Sequence, residues 1–391
     1  MAFRIDERIV QLHLTDQCNL RCSYCYEDRA QRSSKRMKPE TARAIAARHL
    51  DDESAYKSVQ FDFIGGEPLF VWDLIVSMVE FVHSRKWRRE ANFTFTTNGT
   101  LFTDEMKAWL DRHTCVSFSF SIDGTRAAHN LNRCGSYDRM IQHVPWALDR
   151  CTRMGMEKRV KMTIGPDTVP MIADGIAELH AMGFEKVDAN VPHENIWGGR
   201  LEPSLAEYAR QLDALISYYL ERPHLARPRL IDLPFEKLFA QDKEKVFPRW
   251  CGSGDPMICY DEEGRPLPCH RFVPVSTGLH YEGPLSFPEK NWEEARRLEP
   301  SPCVDCPFVS ACPSCMALNW LENGDVDRRT HWHCGFILLQ IKASAKFTIL
   351  RNSRQIAAAL DTEEGRAQVS DLKAGLDQAL AVHEMLSGQA A

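Results

Sequence analysis

The sequence has little excess charge and lacks a long apolar run. Its 48 Lys and Arg residues are outnumbered by 54 Asp and Glu residues, giving a formal net charge of −6. Because affinity for phosphate backbones comes mainly from clustered cations, this balance argues against a dedicated nucleic-acid-binding protein. No stretch reaches the roughly 18 apolar residues of a membrane span, and the charged start of the chain lacks the apolar core of a signal peptide. We therefore predict a cytoplasmic protein with neither nucleic acid nor membrane as a partner.

Two short basic runs are the strongest local concentrations of charge. The first contains Arg29, Arg32, Lys35, Arg36 and Lys38, and the second contains Arg85, Lys86, Arg88 and Arg89. Runs of this length are typical of solvent-exposed helix faces, and docking of an acidic peptide is the alternative. We predict exposed side chains and assign them no function.

The first half of the chain alternates short β-rich runs with longer helical patterns, which predicts a parallel sheet covered by helices. The predicted strands are Ile9–Leu14, Gln60–Ile64, Asn92–Thr96, Val116–Ser121, Lys158–Ile164 and Lys186–Val191. Six such units are typical of a partial (β/α)6 barrel of the TIM type, in which the loops after the carboxyl ends of the strands carry the chemistry. The predicted fold class is therefore α/β.

The pattern changes in the second half of the chain. A helix is predicted over Ser204–Leu220, after which Pro223, Pro228 and Pro234 interrupt the periodicity. The cysteine-rich segment that follows has too little apolar periodicity for a large core, so bound metal is expected to stabilise it. We predict a barrel over 1–230, a bridging segment over 231–250, a cysteine-rich module over 251–335 and closing helices over 336–391.

The sequence contains 14 cysteines, and a reducing compartment does not favour disulfide frameworks. Metal ligation is the leading explanation. Cys18, Cys22 and Cys25 form C-x3-C-x2-C directly after the first predicted strand. Three thiolates on one loop can ligate three irons of a [4Fe–4S] cube and leave the fourth iron open. The alternative is a structural zinc loop, which needs a fourth ligand close by.

This spacing, with Tyr24 before the third cysteine, resembles the radical S-adenosylmethionine (SAM) signature, C-x3-C-x-aromatic-C. The resemblance implies that the open iron binds the amino and carboxylate groups of SAM. One electron then cleaves this cofactor to methionine and a 5′-deoxyadenosyl radical. The resemblance also places Tyr24 near the adenine and implies a flavodoxin- or ferredoxin-type electron donor.

Three further motifs occur in the order that this family has them. The segment Gly65, Gly66, Glu67 and Pro68 resembles one whose backbone and Glu contact the amino group of SAM, and glycine there allows close approach of main chain to ligand. Asn98 lies in T-N-G after the third predicted strand, and Ser121 begins S-I-D-G at the end of the fourth. The resemblance assigns Asn98, Ser121 and Arg133 to the cofactor site, the last two at its ribose and carboxylate. Ordinary turns are the alternative for these dipeptides.

Eight cysteines in the second half follow a different spacing. They are Cys251, Cys259, Cys269, Cys303, Cys306, Cys312, Cys315 and Cys334, with Gly264 five residues before the third. This pattern resembles the SPASM module, which holds two auxiliary [4Fe–4S] clusters. The resemblance gives Cys251, Cys259, Cys269 and Cys315 to the first and Cys303, Cys306, Cys312 and Cys334 to the second. The gap before Cys315 is one residue shorter than in the family, and a zinc ribbon is the alternative for the paired C-x2-C spacings.

His270 directly follows Cys269, in C-H-R-F. Sulfatase-maturating members of the family have at this position an Asp proposed as general base, whereas C-H-R-F is familiar in peptide-crosslinking maturases. His270 is a candidate catalytic proton acceptor, because histidine titrates near neutral pH, and a hydrogen bond from its ring to a cluster is the role that we favour.

The resemblance predicts a peptide maturase with three [4Fe–4S] clusters, which makes a thioether or carbon–carbon crosslink on a peptide or protein substrate. A formylglycine-forming sulfatase maturase, a radical enzyme for a small molecule and a non-catalytic iron–sulfur or zinc protein are the alternatives. Residues after the last predicted strand are expected to line the adenine or substrate side, with surface exposure as the alternative. They are Asn190, His193, Glu194 and Trp197.

Overall fold

An eight-stranded sheet forms the centre of the protein. The computed structural model describes residues 6–27, 32–233, 251–279, 285, 287, 303, 306–309, 312–359 and 363–388. In chain order the strands are β1 (Glu7–His13), β2 (Ser58–Ile64), β3 (Glu90–Thr97), β4 (Val116–Ser121), β5 (Arg159–Thr163), β6 (Lys186–Asn190), β7 (Met257–Tyr260) and β8 (Pro266–Leu267). Their spatial order is β6-β5-β4-β3-β2-β1-β7-β8. Every neighbouring pair from β6 to β7 is parallel, and β8 pairs antiparallel with β7.

The six strands predicted from the sequence are all present, and each observed end lies within two residues of the predicted one. The α/β prediction of a mostly parallel, open, barrel-like sheet is therefore confirmed. The sequence did not predict β7 and β8. These strands have four and two residues, too few for a periodic pattern to distinguish them from the surrounding irregular chain.

The strands separate an apolar face from a polar one. Phe61, Phe63, Phe93 and Phe95 are at most 1% exposed and belong to the main apolar core. Because successive side chains of a strand point to opposite faces, Asp62 between two of these rings faces the other way. It meets Gln11 of β1, whose Nε2 donates to Asp62 Oδ2 over 3.3 Å. The inner face of the sheet is therefore polar.

The helices surround this sheet. They are α1 (Pro39–Asp51), α2 (Trp72–His83), α3 (Asp104–Arg112), α4 (Arg126–Asn132), α5 (Tyr137–Ile141), α6 (Val144–Met154), α7 (Ile172–Ala181), α8 (Leu201–Glu221), α9 (Pro274–Thr277), α10 (Met316–Asn323), α11 (Cys334–Ala359) and α12 (Glu363–Gly388). Helix α11 packs against α8 and α12, and Gln340 Nε2 donates to the buried Tyr208 hydroxyl over 2.8 Å. Within the described ranges, no helix is both long and apolar enough to cross a membrane.

The second half of the chain packs against the first and shares its sheet and its core. Strand β7 pairs with β1 from Ile9 to Leu12, and Phe336 of α11 belongs to the main core. The predicted domain bounds at 230, 250 and 335 stay predictions, and most of the bridging segment, 234–250, lies outside the described residues.

The residues expected near the substrate have different surroundings. Trp197 is 1% exposed, with its ring 4.4 Å from that of Phe336, so the expectation for Trp197 is wrong and its role is packing. The ring of His193 lies 5.3 Å from that of His333. Glu194 forms an ion pair with Arg271, and Asn190 is exposed at the end of β6.

Candidate functional site

The loop after β1 carries Cys18, Cys22 and Cys25. It turns on hydrogen bonds from Leu20 N to Cys18 Sγ (3.4 Å) and from Cys25 N to Cys22 O (3.2 Å). None of the 14 cysteines forms a disulfide. Burial raises the pKa of Cys18 to about 12 and also raises that of Cys22, and neighbouring thiols of the loop add to both shifts. Metal would therefore have to displace the thiol protons on binding.

The spacing of these thiols favours a cluster over a single ion. Among the described residues, no three cysteine thiols lie within 4.8 Å of one another. Four-coordinate zinc holds its sulfur ligands about 3.8 Å apart, because each Zn–S bond is about 2.3 Å long. At least two thiols of the β1 loop are therefore farther apart than the sulfur ligands of one zinc ion.

A buried polar network fixes the loop to the end of β4. Asp123 is fully buried, and its Oδ2 accepts hydrogen bonds from Tyr24 (2.6 Å), Arg133 (3.0 Å) and Asn132 (3.2 Å). Arg133 Nη1 lies 3.9 Å from Cys22 Sγ. The structure thus places Tyr24 and Arg133 beside the cysteines. Their contacts with adenine and carboxylate stay predictions.

The Gly65–Pro68 segment lies against the cysteine loop. Gly66 N donates to Thr15 O (2.9 Å) and Glu67 N donates to Gln17 O (2.8 Å). A Cβ on Gly65, at φ +133°, would come within 2.3 Å of Thr15 O, and one on Gly66 within 2.4 Å of Gln17 O. The glycines therefore permit close approach to the loop backbone itself, in addition to any approach to a ligand.

Glu67 connects the ends of β2 and β3. Its carboxylate accepts hydrogen bonds from Thr97 Oγ1 (2.7 Å), Asn98 N (2.8 Å) and Leu69 N (3.2 Å), and burial raises its pKa to about 7. Asn98 Nδ2 in turn donates to Asn19 Oδ1 in the cysteine loop over 2.9 Å. Hydrogen bonds therefore connect the two motifs to the loop. Ser121 ends β4, in register with Lys161 on the inner face.

The eight later cysteines form two groups. Burial raises the pKa of Cys269, and the nearby thiols of Cys315 and Cys251 raise it further. Burial also raises the pKa of Cys259, and the thiol of Cys269 adds to this shift. Separately, Cys303, Cys306, Cys312 and Cys334 line one cavity. Its other walls include Phe308, Ile337 and Arg329. The structure thus brings together the same two sets of four that the resemblance implies, with Cys315 beside Cys269 despite the shortened gap.

His270 faces β1 from the cysteine-rich region. Gln11 Oε1 accepts hydrogen bonds from His270 N (3.0 Å) and His270 Nδ1 (3.1 Å), because the Gln11 amide nitrogen is directed to Asp62. The ring is therefore the Nδ1–H tautomer, which leaves Nε2 as its acceptor. Burial lowers the pKa of His270 to about 3, so the imidazole is neutral.

Sequence reasoning missed a charged network beside the loop. Arg32, expected to be exposed, is only 13% exposed and donates from Nη2 to Cys25 Sγ over 3.1 Å, so that expectation is wrong. His13, at 1% exposure, bonds through Nδ1 to Glu262 Oε1 (2.8 Å) and lies 3.5 Å from Glu27. No sequence signal relates His13 to Glu262, which is 249 residues away.

The His13–Glu262 pair predicts a pH-dependent stability. Burial alone would lower the pKa of His13, but the bonds to Glu262 and Glu27 raise it to about 10, from 6.5, while the pKa of Glu262 falls from 4.5 to about 2. The stabilisation from protonated His13 is full below pH 6.5 and is lost as pH rises through about 10. The stabilisation from ionised Glu262 is full above pH 4.5 and is lost as pH falls through about 2. His13→Gln should therefore cost most stability between pH 4.5 and 6.5 and progressively less at alkaline pH. Urea unfolding of both proteins across this range measures the difference, and a difference independent of pH would contradict the expectation.

Comparison with known proteins identifies the first half of the chain. Residues 12–187 match the model described as the radical SAM superfamily. A segment of 142 residues is 25% identical to the radical SAM cyclopropyl synthase TigE of Paramaledivibacter caminithermalis, covering 33% of this chain and 30% of that protein. Another of 95 residues is 35% identical to a probable GTP 3′,8-cyclase of Methanothermobacter marburgensis, covering 24% and 28%. The chain thus spans less than a third of the length of these two relatives.

Solved structures resemble the chain over a larger part of its length. Native anSMEcpe with bound AdoMet and Kp18Cys peptide has a TM-score of 0.65 at 15% identity, covering 89% of this chain and 99% of that one. SuiB of Streptococcus suis bound to S-adenosylmethionine has a TM-score of 0.55 at 14% identity, covering 84% and 77%. At these identities the likeness shows a shared fold. The family match shows that residues 12–187 of this chain form a radical SAM domain.

Proposed function

We propose that this protein is a radical SAM enzyme that crosslinks a side chain of a peptide or protein substrate. The observation that carries the proposal is the group of three thiols in the loop after β1, which a buried polar network holds beside a polar inner sheet face. Two structural neighbours were crystallised with peptides, anSMEcpe with Kp18Cys and SuiB with its precursor SuiA. A peptide is therefore the substrate class that the fold supports best.

The residues of the β1 loop would hold one [4Fe–4S] cluster and SAM. Together these groups supply an oxidant able to remove a hydrogen atom from an unactivated carbon. Cys18, Cys22 and Cys25 would ligate the cluster. Asp123 holds Tyr24 and Arg133 against this loop, and Glu67 holds the ends of β2 and β3 in place, so the site needs little rearrangement before it binds its cofactor.

The two later cysteine groups would hold the auxiliary clusters. Forming a crosslink removes two hydrogens from the peptide, one as a hydrogen atom and the other as a proton plus an electron. The second removal needs acceptors for both particles. Clusters at Cys269 and Cys312 would accept the electron, and the open Nε2 of His270 would accept the proton. Burial lowers the pKa of His270 to about 3, so Nε2 is free to accept the proton but holds it weakly.

The proposal predicts SAM cleavage that depends on a strong reductant. Protein reconstituted anaerobically with iron and sulfide should bind about 12 irons, for three cubes, and release 5′-deoxyadenosine when SAM and titanium(III) citrate are added. Synthetic peptides encoded beside the gene would be screened for a loss of two hydrogens by mass spectrometry. A fully loaded protein that releases no 5′-deoxyadenosine would exclude radical chemistry, and bound zinc would favour an interaction protein.

Formylglycine formation is the second candidate, because anSMEcpe matches over 99% of its length. The presence of His270 at the predicted general-base position favours crosslinking instead. An aldehyde-reactive hydrazide decides between the two, since it labels a formylglycine product and leaves a crosslinked one unlabelled.

A further inference from the structure

Arg32 contacts the cysteine loop at two points. Its Nη2 donates to Cys25 Sγ over 3.1 Å, and its Nη1 donates to Leu20 O over 3.0 Å. The guanidinium therefore bridges two points of the loop, the backbone just after the first cysteine and the sulfur of the third. A hydrogen bond from a cation to a sulfur that becomes anionic on metal binding is stronger than one between neutral groups.

A chain of alternating charges extends from Arg32. Glu27, 3% exposed, lies 3.7 Å from Arg32 and 3.5 Å from His13, and His13 bonds to Glu262 in the turn between β7 and β8. The guanidinium thus belongs to a row of charges that reaches the cysteine-rich half of the protein. Because each member of the chain is largely buried, little solvent screens these charges.

We propose that Arg32 raises the reduction potential of the cluster at Cys18, Cys22 and Cys25, and so makes the cluster easier to reduce. This inference rests on the proposed function. Reduction adds one negative charge to the cluster, and a fixed cation that donates a hydrogen bond to Cys25 stabilises the reduced form more than the oxidised form. Hydrogen bonds to sulfur and nearby charge are established determinants of iron–sulfur potentials.

Arg133 is the other guanidinium beside the loop, and it has a weaker claim to this role. It lies 3.9 Å from Cys22 Sγ, against 3.1 Å between Arg32 and Cys25. Asp123, fully buried at 3.0 Å, also cancels much of its charge. The carboxylate that pairs with Arg32 is more distant, at 3.7 Å. Arg32 therefore acts more directly on the thiolates.

The test compares Arg32→Met with Arg36→Met. Arg36 belongs to the same basic run but pairs on the surface with Asp73 over 2.7 Å, so it is a matched control. Redox titration followed by electron paramagnetic resonance should show a more negative potential in Arg32→Met and no change in Arg36→Met. A tenfold smaller ratio of reduced to oxidised cluster at a fixed solution potential corresponds to a shift of about 59 mV for a one-electron couple. Arg32→Lys, which keeps the charge, should fall between Arg32→Met and the unmodified protein.

A second readout separates redox tuning from a structural role. With flavodoxin hydroquinone as donor, Arg32→Met should release 5′-deoxyadenosine about ten times more slowly, and titanium(III) citrate should restore most of the rate. An equal loss with both reductants, or an unchanged potential, would overturn the inference. If Arg32→Met binds less iron, the redox titration of Arg32→Lys replaces it as the test, and its potential should be more negative than that of the unmodified protein. A missing cluster signal in the unmodified protein would instead refute the proposed function.

Discussion

Replacing Cys22 with alanine should abolish the release of 5′-deoxyadenosine and remove about four of the roughly 12 expected irons. Cys22 lies in the middle of the loop, and a cube bound by three thiolates leaves only one iron for the cofactor. With two thiolates remaining, the cluster loses its anchorage on this loop. The auxiliary clusters have their own four cysteines each and should stay bound. Iron and sulfide analysis and the paramagnetic resonance spectrum measure both effects.

Cys151→Ala is the matched control for this experiment. Cys151 lies on α6, is partly buried and belongs to none of the three groups of cysteines. Its removal should leave iron content and SAM cleavage unchanged. Retention of all irons in Cys22→Ala would show that another residue completes the site, and retention of cleavage would refute the assignment of the loop.

Replacing Asp123 with asparagine should destabilise the protein by about 3–5 kcal/mol. Asp123 is fully buried and is the carboxylate that pairs with the buried Arg133. Asparagine has nearly the same shape but leaves the guanidinium without its countercharge. The substitution also replaces one carboxylate oxygen, an acceptor, with an NH2 group, a donor. The hydrogen-bond donors of Tyr24, Asn132 and Thr163 N then compete for the single oxygen that remains. Urea unfolding of the metal-free protein measures the loss.

The control for Asp123→Asn is Asp138→Asn. Asp138 also pairs with an arginine, Arg126, but both side chains are 64% exposed. Exposed pairs are screened by solvent, so stability should change little. Equal effects in the two variants would show that burial of the Asp123–Arg133 pair has no energetic consequence, contrary to the expectation.

The sequence was informative wherever a signal was local. The strands β2 to β6 alternate apolar and polar residues over five to eight positions, and the first three cysteines lie within eight residues of chain. Both patterns can be read without knowing the fold. The division of the later cysteines into two sets came from the resemblance to the SPASM module, and the structure places Cys315 beside Cys269.

The failures have a common physical origin. A basic run indicates charge but not its environment, so the pattern predicts a surface position for Arg32 although a neighbouring thiol and backbone carbonyl draw it inward. Trp197 follows a strand, as site residues do, yet the helix that begins at Cys334 covers it. The partnership of His13 with Glu262 depends on β7 lying beside β1, and β7 itself is too short to be predicted.

The pairing of β7 with β1 has a consequence for how this protein can be divided. A truncated chain ending near residue 233 would leave the backbone N–H and C=O groups of β1 unpaired along one side, and open strand edges promote association between molecules. It would also remove Glu262 and leave His13 buried among carboxylates without its nearest partner. The cysteine-rich half therefore cannot be removed or replaced independently of the first half. Its strand β7 pairs with the free edge of β1, the strand that leads into the first cysteine loop.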